Sequence, residues 1–494
     1  MMGSDMLKSG GSACSEIAPQ GFMSHRPCTL VGFLSIVLIS LLITVAGCAG
    51  NPTGNSRAVA IINVTTIDPV NGKKDRQNVV FRGDTITHVQ SVDDPLPPVS
   101  RRIDGDGKFL IPGLWDFHVH LTYTDGLTAA MPELFLKFGI TSVRDTGGTL
   151  EKLLPVVNHL RTPGTRAPRV FFSGPLLDGP RVVYDGVGRE ELGTPVASAD
   201  QARQIVKHLK DSGADFIKIY ELVTPEIFHA LVDAAREHKL PIESHVPLVM
   251  SARVSGALVD GIQHLRNIEL DCASNAKALL DRRKEMVAGA GDASGFELRT
   301  AVRREQIAEA ISNYDRARCL ETMNALRNTL QAPTLRLNAF GLQPPYTRGD
   351  WQSALAQMPQ PIRGEWDTYA QFQRANPRVR DLTATKFAMF LTGEMFRAGV
   401  PFAAGTDTPI GFAIPGYSLH RELELLREAG LPALEVLASA TTRPAQFFSL
   451  ESEMGLIQEG FRADLVLLNG NPLENISNTR NIHRVFSKGI ALDP

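Results

Sequence analysis

The chain has 494 residues, too long for one ordinary compact domain and long enough for a large domain with a smaller one attached. Hydrophobic residues make up 43%, charged residues 21%, and the formal net charge is −2. That balance describes a globular protein and excludes the basic excess expected of a nucleic-acid partner.

Residues 29–46, TLVGFLSIVLISLLITVA, form an uncharged apolar run behind Arg26, the pattern of a signal-peptide h-region with its basic flank. The run closes on Val45-Ala46-Gly47-Cys48, which resembles the bacterial lipobox, in which the cysteine is lipidated and becomes the mature N-terminus. On this reading residues 1–48 are a leader, 49–57 a polar tether, and the protein is exported to the bacterial cell envelope. It would be lipid-anchored there, in the periplasm or at the surface. Among Met1, Met6 and Met23 as starts, Met23 gives a short MSHRP leader. The alternative is an uncleaved transmembrane anchor, since the run has about bilayer length. An oxidising compartment permits a Cys272–Cys319 bridge without deciding it.

From Ala58 the text becomes β-rich: AVAIINVTTI and NVVFRGDTITHVQSV flank the turn-like DPVNGKKD. At the far end ADLVLLNG and HRVFSKGIAL read the same way, after Gly455 and Gly460. The two ends, 58–110 and 455–494, are therefore expected to build one small β-sandwich domain. Between them, residues 111–454 alternate apolar strands with helical patterns such as DQARQIVKHLKDSGA and TPEIFHALVDAAREHKL, which argues for βα units on a parallel sheet. LWDFHVHL, ITSVRDT, RVFFSG, DFIKIY, LPIESHV, GIQHLRN, PTLRLNA and VPFAAGTD supply eight strands, the number of an α/β (β/α)8 TIM barrel. Two long connections follow barrel strands. One, about 269–332, carries an amphipathic helix over about 303–330. The other, 340–384, carries Tyr346, Trp351, Trp366, Tyr369 and Phe372, and reads equally as a lid or as a packed insertion or oligomer contact.

His118 and His120 alternate with Phe117 and Val119, so both imidazoles are expected inside the barrel and both apolar side chains against the outer helices. Neutral imidazoles suit a divalent metal, although a lone His-x-His is a weak motif. Lys218 shares a face with Phe216 and Tyr220, and a charged lysine in an apolar strand needs compensation. His245 and His264 end two consecutive strands, and Asp407 ends the last. Singly, each reads as a hydrogen-bonded core histidine or a turn-capping aspartate. Together, at strand ends that a barrel gathers on one face, they read as a metal site. Arg144 and Asp145 suggest a buried ion pair or a substrate contact. His420 and Glu422 suggest support of the site or plain helix surface, and His88, His159, His208, His229, His238 and His483 are assigned no role.

The set His118-x-His120, Lys218, His245, His264 and Asp407 resembles the binuclear pattern of the amidohydrolase superfamily, in its imidazolonepropionase-like and dipeptidase-like branch. IPGLWDFHVHL resembles that family's first strand, and GLIQEGFRADLVLLNGNPL its return to the β-domain. The resemblance spans Ala58 to the C-terminus. It implies two divalent metal ions, zinc for preference, with His118, His120 and Asp407 on one and His245 and His264 on the other. Lys218, carboxylated by CO2 to N6-carboxylysine, would bridge them. The implied activity is hydrolysis of an amide or peptide-like C–N bond by a metal-bridging hydroxide, on small peptides or N-acyl amino acids. Asp407 would carry the proton, and Tyr220 is the candidate oxyanion donor. The alternatives are a mononuclear deaminase or cyclic-amide hydrolase on the same barrel, which needs no bridging lysine, and a non-catalytic surface-binding lipoprotein.

Overall fold

The computed structural model describes residues 58–377 and 380–492. The apolar run and Cys48 lie outside the described residues. Among the described residues no helix is long and apolar enough to cross a membrane.

The first five strands are β1 (Val59–Asp68), β2 (Gly72–Arg82), β3 (Thr85–Ser91), β4 (Arg101–Asp104) and β5 (Phe109–Pro112). The barrel region then holds β6 (Leu114–Val119), β7 (Ile140–Asp145), β8 (Arg169–Phe172), β9 (Leu176–Asp178) and β10 (Gly193–Pro195). It continues through β11 (Ile217–Ile219), β12 (Ile242–Ser244), β13 (Gly261–Gln263) and β14 (Leu330–Ala332). The last strands are β15 (Leu465–Leu468), β16 (Ile482–Ser487) and β17 (Ile490–Leu492).

Strands from both chain ends meet in one mixed, eight-stranded sheet, because β15 pairs antiparallel with β5. β1 forks: Val59 to Ile62 pair with β4, whereas Thr65 and Thr66 pair with β5. Asn63, at φ 55°, marks the register shift where the strand changes partner. The expected two-sheet sandwich is thus a single forked sheet folded over on itself. Phe81 of β2 and Phe486 of β16 stand far apart in strand order, yet their rings meet at 5.4 Å.

The middle of the chain is α/β and of TIM-barrel type. β6, β7 and β8 form one parallel sheet, and β9 to β14 form another in the order β10-β9-β11-β12-β13-β14. All six residues of β6 and of β7 are buried, as strands covered on both faces require. A ring of eight regular strands is absent among the described residues. In place of an eighth strand, residues 401–408 run between β14 and β6 through single bridges, Gln331 to Phe402 and Val119 to Thr408. Side chains replace the ladder there: Asp116 accepts from Thr406 N at 2.9 Å and from its hydroxyl at 2.6 Å. Gly405 permits the close approach, since a Cβ at that position would lie 2.7 Å from His118 Cβ.

PTLRLNA does not form the seventh strand. β14 precedes it, and Leu335–Asn338 is a helical turn whose first amides, Leu335 N and Arg336 N, donate to the Glu422 carboxylate at 2.8 and 2.7 Å. Phe117 does not face the outer helices either. It packs with Trp115, Leu330, Ala332 and Ala403, and the Arg144 guanidinium lies 3.4 Å from its ring centroid. A register shift between Asp116 and Val119 turns the strand, and Val119 joins the main core.

The helix expected over 303–330 is two, Gly295–Ser312 and Arg316–Ala325, each with its own cap. Ser294 and Glu297 form a reciprocal capping box for the first, and Asp315 accepts from Arg318 N for the second. Cys319 of the second helix is disulfide-bonded to Cys272. In the 340–384 connection Tyr346 and Trp351 are buried in the main core, while Tyr369 stacks on Phe412 in the loop that follows Asp407. Its first portion is therefore packed structure.

Candidate metal centre

The residues nominated for metal binding and catalysis line one cavity: His118, His120, Lys218, Tyr220, His245, His264 and Asp407. Thr146, Leu176, Tyr184, Leu192, Arg266 and Ile410 complete the lining. The nominated side chains project from β6, β11 and the segments that immediately follow β6, β11, β12 and β13, with Asp407 on the irregular segment beside β6. His264 and Asp407 both adopt left-handed backbone, at φ 62° and 60°. Such conformations cost non-glycine residues about 1–3 kcal/mol and collect at functional sites.

The four imidazoles share one arrangement. His120 Nδ1 meets Gly147 O at 2.9 Å, and His245 Nδ1 meets Glu221 Oε1 at 2.8 Å. His118 Nδ1 meets Gln263 Oε1, and His264 Nδ1 meets the Thr334 hydroxyl at 2.6 Å, whose own proton goes to Pro333 O. A carbonyl or carboxylate oxygen only accepts, so the ring proton sits on Nδ1 and the Nε2 lone pair is left for the cavity. None of these partners was nominated from the sequence. Gln263 stands next to His264 and Glu221 next to Tyr220, but adjacency does not reveal which ring each one holds.

Asp407 Oδ1 lies 3.1 Å from His118 Nε2 and 3.2 Å from His120 Nε2. His118, His264 and Asp407 each offer a ligand atom, and these atoms lie within 4.8 Å of one another. Burial pushes the His118 imidazole down to about 4, only partly opposed by Asp407, and holds His245 and His264 well below the usual histidine range. Burial opposes the charge on Asp407, but the His118 and His120 rings prevail and hold its carboxyl well below the ordinary range.

Lys218 Nζ is buried and has no hydrogen-bond partner among the described residues. Desolvation pushes its ammonium down to about 7 against the pull of Glu243, and Arg144 adds to the fall. Arg144 makes a buried ion pair, but with Glu243 at 2.7 Å and not with its neighbour Asp145. Asp145 accepts from Leu121 N and Gly147 N at 2.6 and 3.1 Å, which fixes the chain on either side of His120. His420 and Glu422 are buried away from the cavity and are not helix surface. His420 bonds Thr479 and Phe138 O, while Glu422 anchors the Arg336 turn. Arg336 in turn donates to Thr406 O, Ile410 O and Gly411 O around Asp407.

The sequence profile of an amidohydrolase family matches residues 345–480, a stretch that includes Asp407 but none of the earlier nominated residues. No curated protein matches the chain. Solved structures do. A Xaa-Pro dipeptidase with methionine bound in its active site aligns with a TM-score of 0.63 and 19% identity, over 88% of this chain and 100% of that one. The bottromycin amidohydrolase aligns with a TM-score of 0.65 and 20% identity, over 88% and 87%. The ochratoxinase of A. niger gives 0.58 and 18%, over 88% and 95%. The family match over residues 345–480 agrees with the resemblance, and the chain shares its fold with these hydrolase structures.

Proposed function

We propose that the protein is a metal-dependent hydrolase of amide or peptide-like C–N bonds in small peptides or N-acyl amino acids. One observation carries the reading. His118 Nε2 and His120 Nε2 both face Asp407 Oδ1, at 3.1 and 3.2 Å, while the far side of each ring already directs its proton to an oxygen. Lone pairs facing one another among buried side chains call for a cation between them.

The orphaned Lys218 amine fits the same reading. A neutral amine adds CO2, forming an N–C bond and releasing a proton, and the resulting carbamate is an anion with oxygen donors where an ammonium would lack partners. His118, His120 and Asp407 would hold one metal, His245 and His264 the second, with carboxylated Lys218 between them. Bound divalent ions, zinc for preference, lower the pKa of water toward neutrality and polarise a carbonyl. Asp407 then receives the proton of the attacking water and delivers it to the amine nitrogen as the C–N bond breaks. Arg299 Nη1 donates to the Tyr220 oxygen at 3.2 Å, so the phenolic proton remains available to the carbonyl oxygen where charge develops.

The closeness of His118, His264 and Asp407 alone favours a single-ion reading of the kind found in deaminases and cyclic-amide hydrolases. Metal analysis after growth with zinc and bicarbonate separates the two: about two equivalents are expected, and about one supports the single-ion site. Lys218→Ala should lose at least one tightly bound ion. Hydrolysis of a dipeptide and N-acyl amino acid panel tests the activity itself. We further propose export and lipid anchoring at Cys48, supported by the 29–46 run and by the Cys272–Cys319 disulfide, a bond of oxidising compartments. Cys48→Ser should release the protein from membranes.

A further inference from the structure

The metal cavity is closed as it stands. Its volume is about 20 Å³, room for a water or two but far short of the roughly 300–1,000 Å³ of a small-molecule pocket. Its four histidines and Asp407 keep at most 6% of their surface open. A dipeptide cannot reach them unless part of the wall moves. The strand ends are fixed by the barrel, and two loop residues of the lining are tied down. Arg336 donates to Ile410 O at 2.7 Å. Asn267, beside Arg266, donates to Val246 O at 2.9 Å and accepts from buried Arg283 at 3.0 Å. Tyr184 and Leu192 come from a different kind of segment, the connection 179–192 between β9 and β10.

That connection is a hairpin folded on itself. Leu192 N and Gly193 N donate to Tyr184 O at 3.2 and 3.0 Å, Asp185 bridges Glu191, and Arg189 Nη1 donates to Asp185 at 3.0 Å. Gly186 and Gly188, at φ 83° and 68°, turn its tip, where Val187 is exposed. Its seat is a small apolar cluster of Val183 and Leu192 with Leu176 and Tyr220, separate from the main core. Two arginines latch its outer side: Arg181 Nη2 donates to Gly291 O at 2.7 Å, and the Arg189 guanidinium lies 4.7 Å from the Phe296 ring centroid. Its base is held by the buried Asp178 carboxylate, which accepts from Gly179 N, Val183 N and, on the barrel side, Leu222 N.

We propose that residues 179–192 form a flap that lifts about Gly179 and Gly193 to admit substrate and then closes Tyr184 and Leu192 over it. The inference deepens the hydrolase reading, because it rests on a substrate that must reach the histidines. Lifting parts the latches, the bond from Leu176 N to Leu192 O at 2.8 Å and the small cluster, while the main core stays packed. The hairpin keeps its internal bonds and moves as a unit on the Asp178 post. Closure excludes bulk water from the reacting centre.

Release of zinc from the metal-loaded protein to 4-(2-pyridylazo)resorcinol reads the opening without any turnover. Arg181 and Arg189 lie outside the cavity lining, and the double variant Arg181→Ala/Arg189→Ala should release zinc roughly tenfold faster at unchanged metal content. Should the purified protein hold no metal, labelling of Leu176→Cys by N-ethylmaleimide, with and without the latch changes, reads the same motion. Release or labelling indifferent to the latches overturns the flap. Thermal midpoints control for folding, and Arg189→Ala alone serves if the double variant does not fold. On dipeptides, latch loss should raise KM more than it changes kcat. Cleavage with release and KM both indifferent to the latches sinks the flap and leaves the hydrolase reading intact. Latch-dependent release with no cleavage of any dipeptide or N-acyl amino acid sinks the hydrolase reading and sustains the flap.

Discussion

The interior of the β-domain packs Ile61, Val79, Phe81, Leu465 and Phe486 into an aliphatic and aromatic cluster, whereas the barrel interior buries Arg144, Lys218, Glu243, four histidines and Asp407. The first stabilises the fold through apolar area. The second works against it: Lys218 Nζ, Glu243 Oε1, Arg144 Nη2 and Gln263 Nε2 are buried without partners among the described residues, and each such atom costs about 1–3 kcal/mol. Of these, Lys218 lines the metal cavity, where the chain gains something other than stability.

The sharpest way to break this contrast is Asp407→Asn. It should lower kcat/KM by about 10²–10⁴-fold in steady-state assays, with the thermal midpoint unchanged or raised. A midpoint that falls with activity would return Asp407 to a structural role. Phe486→Ala is the counterpart: it should cost about 3–5 kcal/mol by denaturant titration while metal content per folded molecule stays the same. Loss of metal would show that the two interiors are coupled.

A third prediction concerns His420, which lies far from both extremes. Burial, with Arg480 adding, pushes its imidazole down to about 3. The folded state therefore holds the neutral ring, while the unfolded chain takes up a proton near pH 6.5. Stability from this group is complete above pH 6.5 and declines as pH falls from there toward 3. Thermal midpoints of wild type and His420→Gln between pH 7 and 4 should converge on acidification; parallel curves would refute it. The smallest expected effect is at Ser294, where Ala should remove a capping box worth about 1 kcal/mol without touching either interior.

Much of this was legible in the text of the chain. Alternation placed Lys218 on one face with Tyr220, and both line the cavity. The same rule failed for Phe117, because alternation assumes an unbroken ladder and β6 shifts register between Asp116 and Val119. PTLRLNA has the composition of a strand, but Glu422, from a distant helix, takes its two amides and makes a turn instead. Local propensity lost to a tertiary hydrogen bond that no window of sequence contains.

The sequence by itself determined the α/β alternation, the cavity face of β11 and the chemical identity of the side chains at the strand ends, because unbroken elements follow periods of two and 3.6 residues. Only the tertiary structure decided which nitrogen of each histidine is free, that Arg144 pairs with Glu243, and that Arg266 enters the cavity wall beside Glu221. Those properties depend on distances between residues tens of positions apart, and a one-dimensional pattern carries no such distances.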